Sequence, residues 1–229
     1  MSFQDDHVQT ERTTGMGDDY KLIVTIDREV GSGGHEVARR LADRLGLRLY
    51  DEEIISKAAE KTGYLEDYIK NNEEKAPDFS IPGIFSAVDT FQASPFAKVQ
   101  EEEFNIIREI AAEGSCVIVG RAADYILSSE RHVSIFLFAP IEDRVKRKLA
   151  LARMDQEGEN LTEAAVEKEI RAVDRQRRRF YEFYTDNKWG SREVYDLLIN
   201  TGRSGINGAV DIIEAYIRGG RDKDILSDM

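Results

Sequence analysis

Residues 27–36 read Asp-Arg-Glu-Val-Gly-Ser-Gly-Gly-His-Glu. Successive glycines let backbone N–H groups converge on one point, and a helix starting there adds the positive end of its dipole. Both attract phosphate, so Gly31, Ser32, Gly33, Gly34, His35 and Glu36 are candidates for an anion cradle. A plain tight turn between strand and helix uses the same residue types. The phosphate-loop pattern G-x-x-x-x-G-K-[ST] is met in part. Gly33 holds its second glycine, while Arg28, Gly34 and His35 stand at its first glycine, lysine and hydroxyl positions. The missing lysine would face the β- and γ-phosphates, and the missing hydroxyl would ligate magnesium. Phosphotransfer here needs another cation, and Arg28 and His35 are nearest. The dinucleotide fingerprint is the rival. Gly31 and Gly33 fit it, and Asp51 sits where an acidic residue would hold a ribose. Glu36, however, stands at its third glycine, where a carboxylate would repel pyrophosphate.

Gly120-Arg121 directly follows the apolar run Ser115–Val119. At the carboxyl end of a strand the arginine's planar fork would face the ligand crevice, where it suits phosphate. A surface ion pair with Asp124 is the plainer alternative. From Lys168 to Arg179 the chain carries Lys168, Arg171, Arg175, Arg177, Arg178 and Arg179 against Glu169 and Asp174. Arg171, Arg175 and Arg178 share one helical face, and Asp174 beside them could orient an arginine. A solvated helix or an RNA-binding patch has the same composition. Its place between two predicted strands also suits a lid, whose arginines would stabilise a transferring phosphoryl group and exclude water. Phe180, Tyr181, Phe183, Tyr184 and Trp189 follow. They could stack single-stranded nucleic acid, but helix packing is their commoner use. Trp189-Gly190 reads as the end of this helix.

These residues need a frame. Lys21–Ile26 is a short β-branched run suited to a strand buried on both faces. Val37, Ala38, Leu41, Ala42 and Leu45 recur at helical spacing, and Gly46 stops the helix. Further strands are predicted over Leu47–Tyr50, Ser115–Val119, Val133–Phe138 and Asp196–Asn200. Residues 51–115 are mostly helical in pattern. Pro140 opens a helix at its first turn. A charged helix is expected from Leu161 to about Tyr184, and a closing one over Gly205–Ile217. Strands alternating with helices imply a parallel sheet covered on both faces, with its ligand crevice past the carboxyl strand ends. Asp27–Glu36, Asp51, Gly120-Arg121 and Thr201-Gly202-Arg203 all follow predicted strands.

The chain has 229 residues, of which 41% are hydrophobic and 33% charged, enough apolar material for a real core. With 32 basic and 44 acidic residues the net charge is −12, poor for general binding to nucleic acid or anionic membrane. The single cysteine excludes a disulfide framework and a thiolate zinc cluster. No metal ligand set is evident. No apolar run is long enough to span a membrane, and Met1–Asp19 lacks a signal-peptide segment, so a cytoplasmic protein is expected. The expected organisation is a disordered tail over 1–19, one domain over 20–220 and a C-terminal tail over 221–229. Apolar faces within 51–115 leave open whether they pack internally or in a homo-oligomer.

In order and spacing, Ile26-Asp27-Arg28-Glu29-Val30-Gly31-Ser32-Gly33-Gly34, then Val119-Gly120-Arg121, then Asp196-Leu197-Leu198-Ile199-Asn200-Thr201 resemble the cytidylate kinase-like family. This is a divergent branch of the P-loop nucleoside monophosphate kinases. The resemblance spans about Leu22 to Ile217. It implies an α/β fold with a five-stranded parallel sheet of order 2-3-1-4-5 and helices on both faces. A helical monophosphate-binding insertion over 51–115 and a helical lid over 155–192 go with it. It also implies ATP and Mg²⁺, and transfer of the γ-phosphoryl group to a nucleoside monophosphate or similar small acceptor. By position, Gly31–Glu36 would cradle the donor phosphates, Asp51 and Arg121 would face the acceptor, and Thr201-Gly202-Arg203 would lie beside the donor base. Arg171, Asp174 and Arg178 would match the lid positions. The family's Gly-Lys-Gly-Thr is Gly33-Gly34-His35-Glu36 here, and its Gly-Arg-Asp is Gly120-Arg121-Ala122. These departures leave a non-catalytic nucleotide sensor on the same fold as the alternative.

Overall fold

The computed structural model describes residues 21–51, 95–154 and 161–227. The expected 1–19 tail and most of the expected insertion lie outside the described residues. In chain order the elements are β1 (Ile23–Arg28), α1 (Gly34–Leu45), β2 (Arg48–Tyr50), α2 (Pro95–Glu113), β3 (Cys116–Val119) and α3 (Ala123–Ile126). There follow β4 (Val133–Phe138), α4 (Ile141–Met154), α5 (Glu163–Thr185), β5 (Leu197–Asn200) and α6 (Thr201–Ser227). The strands form one five-stranded parallel sheet of order β2-β3-β1-β4-β5, the order the resemblance implies.

Side-chain alternation divides the core between the two faces of this sheet. Val24 and Ile26, Val117 and Val119, Ile135 and Leu137 join Val37 and Leu41 of α1 and Val210 and Ile213 of α6. The intervening Ile23, Cys116 and Ile118 pack on the other face against Ile106, Ile107 and Ile110 of α2. Burial on both faces is why these strands read as unbroken apolar runs. Gly46, at φ 66°, ends α1 in the left-handed region, and Leu47 N–H donates to Ala42 O at 2.9 Å.

Two boundaries differ from the sequence expectation. The charged helix ends at Thr185, with Asp186 left-handed at φ 55°, so Trp189-Gly190 is not its terminus. Trp189 lies beyond the helix, buried with Phe136, Tyr181 and Tyr195. The closing helix begins at Thr201, immediately after β5, and is broken at Gly205 (φ 67°, ψ 178°), where the sequence pattern places its start.

Candidate functional site

The turn between β1 and α1 sits at the carboxyl end of the sheet. Gly31 and Gly33 adopt φ 76° and 85°, a region that side chains rarely enter. Crowding reinforces the glycine at 31, where a Cβ would stand 2.9 Å from Arg144 O. Ser32 is fully buried, its hydroxyl donating to Glu29 O at 2.8 Å.

The carbonyl groups of the turn are held from three distant helices. Arg177 Nη1 of α5 donates to Arg28 O at 3.0 Å, and Arg144 Nη1 of α4 to Val30 O at 3.3 Å. Arg147 Nη1 of α4 donates to Gly31 O at 2.8 Å, and Thr201 Oγ1 of α6 to Ser32 O at 2.6 Å. Asp174 Oδ1 accepts from Val30 N–H at 2.8 Å while its Oδ2 binds Arg144 Nη1 at 2.5 Å. Among the described residues, the N–H groups of Gly31, Gly33, Gly34, His35 and Glu36 donate to no partner. The turn therefore presents N–H groups with its carbonyls tied back, a polarity that suits an anion.

Arg28 crosses this turn. Its stem passes over Gly34, where a Cβ would stand 2.5 Å from Arg28 Cγ and 2.7 Å from Arg28 Cβ. Its guanidinium abuts Gly120 at the end of β3 and reaches Asp51, with Nη2 3.7 Å from Oδ1. The other oxygen of Asp51 lies 2.7 Å from His35 Nδ1. Arg28, His35 and Asp51 are thus brought together between the ends of β1, β2 and β3. Arg177 lies close by. Burial, together with repulsion from Arg28, pushes its guanidinium down to about 10.

Other predicted residues are placed differently. Arg171 is exposed and paired with Glu167 along its own helix at 2.7 Å. Arg175 and Arg178 are exposed, and Arg178 Cζ stands 5.9 Å from the Trp189 ring centroid. Asp174 orients Arg144 of α4, not an arginine of its own helix. Glu36 is held by Arg39 and Arg40 on the outside of α1, which keeps its carboxyl below the usual range. Asp124 does not pair with Arg121. It is buried and accepts from Tyr181 Oη at 2.5 Å, and burial pushes its carboxyl up to about 6. Arg121 Nη1 instead lies 3.6 Å from the buried Glu103 of α2, whose carboxyl burial also raises. Gly120, Arg121 and Ala122 all have left-handed φ, at 73°, 60° and 53°. Side chains at the last two positions carry strain of about 1 kcal/mol each. Gly202 packs on Asp143 and Pro140, and Arg203 is exposed.

Asp27, Arg144, Arg147 and Arg177 escaped the sequence reading as site residues. The apolar positions of α5 carry the missing signal. Val166, Ile170 and Tyr181 are buried, and stepping from Ile170 by helical spacing reaches Asp174 and Arg177. Arg144 and Arg147 lie in the early turns of the helix that follows β4, the strand beside β1.

A cavity of about 440 Å³ lined by Lys21, His132, Asp196 and Tyr216 opens at the amino ends of β1, β4 and β5, away from the glycine turn. Magnesium, which phosphoryl-transfer enzymes hold between phosphates, finds no matching donor set at the turn among the described residues. The nearby carboxylates Asp27, Glu29, Asp51 and Asp174 already face arginine, indole or backbone donors. The Ser32 hydroxyl is buried and donating.

Sheet order and glycine turn together define an α/β protein of the P-loop kinase fold whose turn departs from the phosphate-loop pattern at Arg28, Gly34 and His35. The chain belongs to the cytidylate kinase-like family, whose model matches residues 23–203. A cytidylate kinase of Ignicoccus hospitalis is 28% identical over 198 residues, covering 85% of this chain and 98% of that protein. One from Archaeoglobus fulgidus is 29% identical over 197 residues, covering 84% and 92%. Among solved structures, an uncharacterized protein from Eubacterium ventriosum matches with a TM-score of 0.62 at 27% identity, over 86% of this chain and 99% of that one. Shikimate kinase from Bacteroides thetaiotaomicron shares the fold, with a TM-score of 0.52 at 13% identity over 87% and 99%. No helix among the described residues is long and apolar enough to cross a membrane.

Proposed function

We propose that this chain is an ATP-dependent phosphotransferase that moves the γ-phosphoryl group to a nucleoside monophosphate or a similarly small phosphorylated acceptor. The carrying observation is the polarity of the glycine turn. The N–H groups of Gly31 and Gly33–Glu36 are unpaired among the described residues, while Arg144, Arg147, Arg177 and Thr201 hold its carbonyls. Phosphate oxygens accept from such donors and would be repelled by those carbonyls. Arg28 supplies the cation that the loop lacks at Gly34. Arg121 and Asp51 flank the acceptor side, and Arg178 and Arg175 add charge from α5 over the transferring group. Thr201 positions the loop, with Gly202 and Arg203 toward the donor base. An acceptor phosphate is already anionic, so alignment and charge stabilisation carry the rate and no strong base is needed.

The test incubates the protein with ATP, magnesium chloride and each of a panel of nucleoside monophosphates, following ADP and phosphorylated product. Acceptor-dependent ADP is expected. No ADP above background with every monophosphate, and with small phosphorylated or hydroxylated acceptors, refutes the reading. A second reading, a nucleotide sensor without turnover, is favoured by His35. This residue stands at the hydroxyl position and its ring is engaged by Asp51. It predicts thermal stabilisation by nucleotide with no transfer, and absence of any stabilisation removes it.

A further inference from the structure

Asp27 ends the buried stretch of β1 and is only 7% exposed. The transfer chemistry above does not use it. Its oxygens face two different parts of the chain. Oδ1 accepts from Arg28 N–H at 2.7 Å. Oδ2 accepts from Trp189 Nε1 at 2.7 Å, with the Tyr195 hydroxyl at 3.3 Å. A carboxylate stripped of water is tolerated where donors surround it. Here they come from the first residue of the glycine turn and from the segment behind α5. The Trp189 ring meets Phe136 edge-on, with centroids 5.0 Å apart and planes at 90°, and Arg178 stands over its face. Arg178 also acts electrostatically on the Glu29 carboxyl within the turn. One indole therefore touches the strand-end carboxylate through its N–H and a cation of α5 through its face.

We propose that Asp27 is a positioning residue of the phosphate loop, and that its bond to Trp189 couples occupancy of the loop to the segment following α5. Asp27 holds the N–H of Arg28 while Arg177 holds its carbonyl. Between them they fix the backbone from which the Arg28 side chain crosses Gly34. A polyphosphate against Gly31–Glu36 competes for Arg178, which then leaves the indole face. Trp189 is the chain's single tryptophan, so its emission reports this event alone. The inference rests on the phosphotransferase reading, because the ligand sensed is that reading's donor triphosphate.

The experiment titrates ATP and inorganic tripolyphosphate into the full chain and into Asp27→Asn, by calorimetry and by tryptophan emission, with donor and acceptor KM measured separately. Wild type is expected to give a saturable emission change with the calorimetric midpoint. Asp27→Asn keeps one acceptor oxygen, so it can accept from Arg28 N–H or from the indole but not from both. It is expected to bind about tenfold more weakly, with the emission change lost and acceptor KM unmoved. Wild-type binding with silent emission overturns the inference, as does an Asp27→Asn variant with unchanged affinity and response. If circular dichroism shows Asp27→Asn unfolded, Trp189→Phe decides. A severalfold rise in donor KM alone supports the inference, and an unchanged donor KM overturns it. No binding of ATP or tripolyphosphate to wild type overturns both this inference and the phosphotransferase reading.

Discussion

Arg28 and Gly34 make a pair that can be exchanged. A methyl group at residue 34 would lie 2.5 Å and 2.7 Å from the Cγ and Cβ atoms of Arg28, near the root of that side chain, where rotation gives little relief. Gly34→Ala should therefore cost about 1–3 kcal/mol of overpacking. Arg28→Gly clears both crowding atoms, at about 0.5–1 kcal/mol for a glycine in a strand. In that background Gly34→Ala should cost almost nothing, giving a coupling energy of about 1–3 kcal/mol in chemical denaturation. Arg28→Gly also removes the cation. If its guanidinium contacts phosphate, the charge-assisted bonds lost are worth about 1.5–3 kcal/mol, or roughly 10- to 150-fold in tripolyphosphate affinity. Arg28→Gly combined with Gly34→Lys returns a cation by the route the ordinary phosphate loop uses, and calorimetry should find most of that affinity restored. Two results refute the reasoning: Gly34→Ala as stable as the parent, or the double variant binding no tighter than Arg28→Gly.

Asp124 gives a pH prediction. Its carboxyl sits at about 6 in the folded chain against 3.8 ordinarily. Between those values the folded state keeps a proton that the unfolded state has lost, so stability falls as pH rises from about 4 to about 6. Asp124→Asn should flatten that fall by about 1–3 kcal/mol, read from denaturant midpoints across the range. Asp174→Ala removes the shorter of two carboxylate pairs made by Arg144, which is only 6% exposed, leaving Glu29 3.5 Å from its Nε, and should cost about 1.5–3 kcal/mol. Arg171→Ala breaks only an exposed pair and should cost under about 0.5 kcal/mol, so equal losses from the two would contradict the assigned geometry. Burial pushes the Cys116 thiol up to about 11, so a thiol reagent at neutral pH should label it only at the rate of unfolding.

The inner strands β1, β3 and β4 were legible because they are buried on both faces, and Val133–Phe138 was placed to the residue. The glycine turn was legible because left-handed backbone demands glycine at 31 and 33. Burial adds to what charge alone suggests on α5: besides the basic face of Arg171, Arg175 and Arg178, the buried Ile170 and Tyr181 turn Asp174 and Arg177 toward the loop. Trp189 could not be placed from local pattern, since its partner Asp27 is 162 residues away. Arg144 and Arg147 meet the loop only through the crossover after β4, a relation that sequence spacing does not carry.

The carbonyls that shape the turn are held by side chains lying 114 to 169 residues later. On a ribosome the glycine segment emerges early and waits. Helices α4 and α5 arrive in turn, and Thr201 comes last of the residues that grip it. A nascent chain lacking β5 and the start of α6 has the glycines without the restraint that orients them. Restraint of the glycine turn is thus a late event in the birth of this protein, and a copy terminated before Thr201 would carry the turn without its last tether.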